Sequence, residues 1–137
     1  MKGVEHVYFV GIGGIGMSAL ARYMISIGKD VSGYDKTETT LTKKLVEEGM
    51  EIHYEDRVDL IPENIDIVVY TPAIPDDHKG LKALRSRSIE VIKRAEMLGR
   101  LSEMKKTIAI AGTHGKTSTS ATTAHILKDS GVDLSAF

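Results

Sequence analysis

The 137 residues carry eighteen Lys and Arg against nineteen Asp and Glu, a formal net charge of −1, with 42% hydrophobic and 27% charged side chains. That balance describes a globular chain able to bury roughly two-thirds of its unfolded surface, and without a dense Lys/Arg stripe it argues against nucleic acid as a partner. There is no cysteine, which excludes disulfides and thiolate metal sites, and the N-terminal apolar run is too short for a signal segment or a membrane span; a cytoplasmic chain is expected.

Short β-rich apolar runs alternate with amphipathic segments along the chain. Residues 7–10 read as a strand and 16–27 as a helix; 31–34 and 41–48 repeat the pair, and 51–53 is a weaker strand candidate. Residues 65–71 precede a helix over 81–87, and 91–92 precede one over 95–104. The last pair is the apolar run 107–111 followed by a helix over 117–129. This order predicts an α/β fold: a Rossmann-like parallel sheet with helices on both faces over residues 1–104. The first strand, phosphate loop and helix of a second α/β domain follow over residues 105–137, after a polar break at Glu103-Met104-Lys105-Lys106.

Gly28, Gly49 and Gly131 stand where left-handed helix caps are wanted. Met97, Leu98, Leu101 and Met104 share one helical face, and Lys43/Glu47 and Lys44/Glu48 read as a solvated one. His6, His53, His78 and His125 read as packing or surface residues, so no histidine metal site is expected.

The first strand runs into Gly11-Ile12-Gly13-Gly14-Ile15-Gly16 and then a helix, the context that a G-x-G-x-x-G phosphate loop requires. On the motif's usual roles the first glycine permits the turn, the second admits a diphosphate to the backbone, and the third lets helix pack on strand. Free N–H groups and the positive dipole end of the helix complete an anion site. Asp35, nineteen residues beyond Gly16, ends the second strand, where a carboxylate accepts hydrogen bonds from a nucleoside. In a dehydrogenase it would take ribose hydroxyls; in a uridine-nucleotide site it would meet uracil or its ribose. Residue 35 alone does not name the nucleotide.

A second loop, Gly112-Thr113-His114-Gly115-Lys116-Thr117, follows the run 107–111 and opens the last helix. Its backbone N–H groups would cradle phosphates, Lys116 would reach the β- and γ-phosphates, and Thr117 would ligate Mg²⁺ in a shell that this chain leaves incomplete. The pattern is the shorter G-T-x-G-K-T form, because Ile110 stands where the full P-loop has glycine. The run 107–111 itself would present an unpaired edge, to dock on the first domain or pair with another copy of the chain.

Two phosphate loops about a hundred residues apart make a poor dehydrogenase, and together they resemble the Mur ligases. Gly11 to Ala21 and Gly112 to Thr117 carry the likeness. Tyr70-Thr71-Pro72-Ala73-Ile74-Pro75 is similar to the family's small-residue loop after a central strand, and Arg94-Ala95-Glu96-Met97-Leu98 to the stretch leading into its second domain. The family commonly has serines where this chain has Thr71 and Pro72, so one hydroxyl survives and one is lost; the two prolines alone read as a rigid turn.

The resemblance implies an ATP- and Mg²⁺-dependent ligase of peptidoglycan precursor synthesis. It would join L-alanine to the lactyl carboxylate of UDP-N-acetylmuramate through an acyl phosphate. Gly11, Gly13, Gly14, Ile15, Gly16, Asp35 and Thr71 would then hold the UDP-sugar, and Gly112, Thr113, His114, Gly115, Lys116 and Thr117 the ATP, with Lys116 and Thr117 closest to the chemistry. On this reading the chain is a fragment that binds the sugar nucleotide without turning it over. A peptide-recycling ligase acting on the same sugar nucleotide shares the fold; a non-catalytic NAD-binding module would explain the first loop but leave Lys116 and Thr117 without a role.

Overall fold

The computed structural model describes the whole chain, Met1–Phe137. Its elements in order are β1 (His6–Val10), α1 (Ile15–Ser26), β2 (Asp30–Tyr34), α2 (Thr40–Glu47), β3 (Glu51–His53), β4 (Ile67–Tyr70), α3 (Lys79–Ser86), β5 (Glu90–Lys93), α4 (Arg94–Met104) and α5 (Lys116–Asp129). A single 3-10 turn, Val58–Leu60, lies between β3 and β4. The strands form one parallel sheet in the order β3-β2-β1-β4-β5. The chain leaves β1 toward β2 on one side and returns with β4 on the other, so the order reverses between β1 and β4. Open α/β sheets bind ligands in the crevice that such a switch point opens at the carboxyl ends of the strands.

Every residue of β1 is buried, as a central parallel strand covered on both faces must be. Strand alternation divides the sheet into two faces. On one, Tyr8 and Val10 pack with Tyr34, Val68, Ile61, Ile65 and with Leu81 and Leu84 of α3. The other carries Val7, Phe9, Val31, Ile67 and Val69, all buried, and α1, packed on β1 and β2, buries Leu20, Ala21 and Met24. At roughly 1.5–3 kcal/mol for each large apolar side chain removed from water, this double cover is the main stabilising force of the sheet.

The helix ends are set by local chemistry. Gly28, Gly49 and Gly131 all have positive φ, and each lies in a pair of hydrogen bonds that closes the last turn: Lys29 N–H to Met24 O, Met50 N–H to Leu45 O and Val132 N–H to Leu127 O are the outer bonds. At the start of α2, Thr39 and Thr42 form a reciprocal capping box. In α4, Met97 and Leu101 are buried, whereas Met104, expected on the same face, is 54% exposed.

The chain forms two compact units, Met1–Arg100 and Leu101–Phe137. In the second unit, residues 107–111 are not a strand. A parallel strand is held by ladder bonds to its neighbours, and the sheet of this chain consists of β1 to β5 alone. Thr107 instead turns its hydroxyl back on the carbonyls of Ser102 and Lys105, and Ile108 is 65% exposed. The β-propensity of this run has no partner to act on, so the second unit shows its loop and helix without the expected strand. The pairing edge expected of that strand is likewise not formed.

Candidate functional site

The first glycine loop leaves β1 at the switch point. Gly11 has φ +89° there, and the N–H groups of Gly11 and Ile12 both donate to Tyr34 O, at 2.8 and 3.0 Å, which ties the loop to the end of β2. Gly13 N–H donates to Asp35 Oδ2 at 2.7 Å, and Thr37 N–H donates to the other oxygen, Oδ1, at 3.2 Å. The sequence-predicted carboxylate therefore reaches the glycine loop directly and bridges it to the turn after β2. Gly14 N–H donates to Gly11 O, and Gly14 caps α1 without a side-chain acceptor. The N–H groups of Ile15, Gly16 and Met17 open the helix, where intrahelical bonding leaves donors unused.

Two further pieces close on this loop. Thr71, at the end of β4, packs its methyl against Gly11, and Ile74 does the same with its side chain. Ile74 N–H and His78 N–H bond back to Thr71 O and Pro75 O, so the two prolines sit in consecutive tight turns, the rigid turn that the sequence suggested. The Thr71 hydroxyl accepts a long bond from Ala73 N–H, 3.5 Å, within its own turn. Ile15 is 88% exposed beside these groups.

Arg94 is the residue that sequence reasoning did not place in the site. It opens α4 directly after β5, at the same carboxyl edge of the sheet, and its guanidinium lies so close to Gly16 that a Cβ there would come 2.8 Å from Nη1. None of the hydrogen bonds or ion pairs of the chain engages it. A cation without a protein counter-charge beside a helix start is suited to a phosphate. The signal was available: a basic residue immediately after a strand points to the same crevice as the loops after β1 and β4.

Of the histidines, His6, His53 and His78 are packed and His125 lies on the surface. His6 is buried, with Nε2 bonded to Ser32 Oγ and Nδ1 to Asn64 O. His53 is bonded to the Tyr8 hydroxyl and Glu55 O, and its burial pushes its pKa below the usual imidazole range. His78 is buried and caps α3 by accepting from Leu81 N–H. His125 is exposed and faces Asp129 on α5. No group of three or more His, Asp or Glu side chains converges as metal ligands would.

The second loop is formed in its own unit. Gly112 and Gly115 have positive φ, Gly115 caps α5, and the Lys116 ammonium donates across the turn to Gly112 O. Thr113 Oγ1 contacts His114 Nδ1 at 3.1 Å, and Thr117 lies in the first turn of α5. One concavity is bounded by Lys128, Gly131 and their neighbours, another by Tyr8, Ser32, His53 and theirs.

A profile described as the Mur ligase family, catalytic domain, matches residues 6–106. The chain belongs to the Mur ligase family. It is 49% identical over 140 residues to a UDP-N-acetylmuramate–L-alanine ligase of Christiangramia forsetii, an alignment covering 98% of this chain and 31% of that protein. Among solved structures, a UDP-N-acetylmuramate-alanine ligase from Thermotoga maritima superposes with a TM-score of 0.82 at 37% identity, over 90% of this chain and 29% of that one. A murein peptide ligase from Psychrobacter arcticus reaches a TM-score of 0.85 at 26% identity, over 94% and 27% of the two chains. The chain thus spans about 31% of the length of its curated relative. No helix in it is long and apolar enough to cross a membrane.

Proposed function

We propose that residues 1–100 bind the diphosphate of UDP-N-acetylmuramate and that residues 101–137 begin an ATP site, within a cytoplasmic ligase that joins the sugar nucleotide to L-alanine. The observation that carries this reading is the unpaired Arg94 guanidinium against Gly16, at the start of α1, beside the β1/β4 switch point. Family membership supplies the chemistry, and the L-alanine-adding relative at 49% identity favours that substrate over the peptide of the murein peptide ligase at 26%.

Gly11, Gly13, Gly14, Ile15, Gly16, Asp35 and Thr71 form the sugar-nucleotide site in this reading, with Arg94 added to them. Gly112 to Thr117 fit a triphosphate: the loop bends at two positive-φ glycines, opens a helix and carries Lys116 within it. Thr117, in the first turn of α5, offers one oxygen to Mg²⁺. When bound, ATP would supply the phosphoryl group that activates the sugar's carboxylate. The chain's own part is to hold phosphate oxygens on backbone donors and to offset negative charge with Lys116, which lowers the cost of bringing a carboxylate to a polyanion.

Calorimetric titration with UDP-N-acetylmuramate, NAD and UDP tests the first site. UDP-N-acetylmuramate and UDP are expected to bind, NAD to bind more weakly, and Arg94→Gln to weaken both uridine ligands by about 10- to 100-fold, the value of one charge-assisted hydrogen bond. Tighter binding of NAD would replace the ligase reading with a dinucleotide-binding one.

A further inference from the structure

We propose that Gly14 is the glycine that faces the bound diphosphate, and that Gly13, which the G-x-G-x-x-G motif assigns to that task, is kept small for Asp35. The inference rests on the sugar-nucleotide reading of the first loop and reassigns roles within it.

Each glycine of the loop can be asked what a Cβ would meet. At Gly11 the backbone is left-handed, φ +89°, and a Cβ would stand 2.9 Å from the Thr71 methyl. At Gly16 it would stand 2.8 Å from Arg94 Nη1. At Gly13 it would stand 2.7 Å from Asp35 Oδ2 and 2.9 Å from Thr42 Cγ2. Gly11 and Gly13 are required by the protein's own backbone and packing before any ligand arrives, whereas the neighbour of Gly16 is the movable end of Arg94. Gly14 is different: its backbone, φ −65° and ψ 147°, suits any residue, and a Cβ would meet nothing closer than Gly11 O at 3.6 Å. The space that Gly14 leaves open is not used by the fold, which leaves it to the ligand.

The donors point the same way. Gly13 N–H is already spent on Asp35 Oδ2 at 2.7 Å, the short distance of a charge-assisted bond. A phosphate oxygen at Gly13 would compete with that carboxylate for one hydrogen and meet its negative charge. Asp35 therefore acts on the diphosphate as a positioning residue. It fixes the loop through Gly13 and turns the anion toward the open space at Gly14, the N–H groups from Ile15 onward and Arg94.

The test uses UDP as the probe and reads both affinity and melting temperature. Gly14→Ala is expected to leave the melting temperature of the free chain unchanged and to weaken UDP by about tenfold or more. Gly13→Ala is expected to lower the melting temperature, and to do so no longer in an Asp35→Ala/Thr42→Ser background, where the colliding atoms are gone; such non-additivity marks a direct contact. Asp35→Ala should speed amide exchange at Gly13 and weaken UDP, and Asp35→Asn, whose amide oxygen still accepts from Gly13, should recover most of both. Gly14→Ala binding UDP like the parent, or Gly13 exchange indifferent to Asp35→Ala, overturns the reassignment. A parent chain that binds no UDP overturns the sugar-nucleotide reading itself, and the reassignment with it.

Discussion

Charge and burial act residue by residue around the first loop. Asp35 and Arg94 stand against two glycines of one turn, Gly13 and Gly16, and give it an anionic and a cationic border. Behind them His53 converts burial into pH dependence. Its imidazole, held between the Tyr8 hydroxyl and Glu55 O, is kept below the ordinary value by burial, so the folded chain binds that proton less readily than the unfolded one. The stability contributed by neutral His53 is complete above the unfolded value of about 6.5 and is lost as pH falls below it. Melting temperature is expected to decline between about pH 7 and pH 5.5, with a shallower decline in His53→Gln. Equal slopes for the two chains would show that His53 is not a source of the dependence.

At the level of elements, the legible parts were those fixed by local chemistry. The three glycine caps, the strand–helix alternation and even the three-residue β3 follow from sequence neighbours, and all are present. Residues 107–111 were misjudged because β-propensity measures fit to a sheet, and a run without a neighbouring strand has nothing to fit. Met104 follows the helical period of Met97 and Leu101 but is exposed at the last residue of α4. The sequence shows Arg94 between a strand and a helix, whereas its place at the sheet edge emerges only from the strand order. The capping box of α2 offers a direct measure of local control. Thr39 accepts from Thr42 N–H at 3.2 Å, and α2 has only eight residues to spread the loss of a cap. Thr39→Ala is expected to cost about 1 kcal/mol in denaturant unfolding, and Thr39→Ser a few tenths at most. A neutral Thr39→Ala would show that tertiary packing alone holds this helix.

Across the whole molecule each compact unit carries one glycine loop, and the two are expected to be separable by mutation. Lys116 belongs to the second unit, and its ammonium contacts Gly112 O in the same loop. Saturation with UDP-N-acetylmuramate at a hundredfold excess over Kd is expected to stabilise the first unit by about 2.7 kcal/mol, equally in the parent and in Lys116→Ala. ATP is expected to shift the melting temperature little, since Lys116 and Thr117 are few contacts for a triphosphate. Phosphate release from ATP by the parent chain above the Lys116→Ala background would reveal more catalytic capacity in residues 101–137 than the contacts there provide. The strand order has its own consequence during synthesis. β1 cannot complete its pairing until β4 follows, and the bond from His6 N–H to Asp66 spans sixty residues of chain. At a ribosomal pace of about 5–20 residues per second that delay is on the order of 3–12 s. Throughout it, the apolar run His6–Val10 has an open edge, so the centre of the finished sheet is exposed to aggregation in the nascent chain.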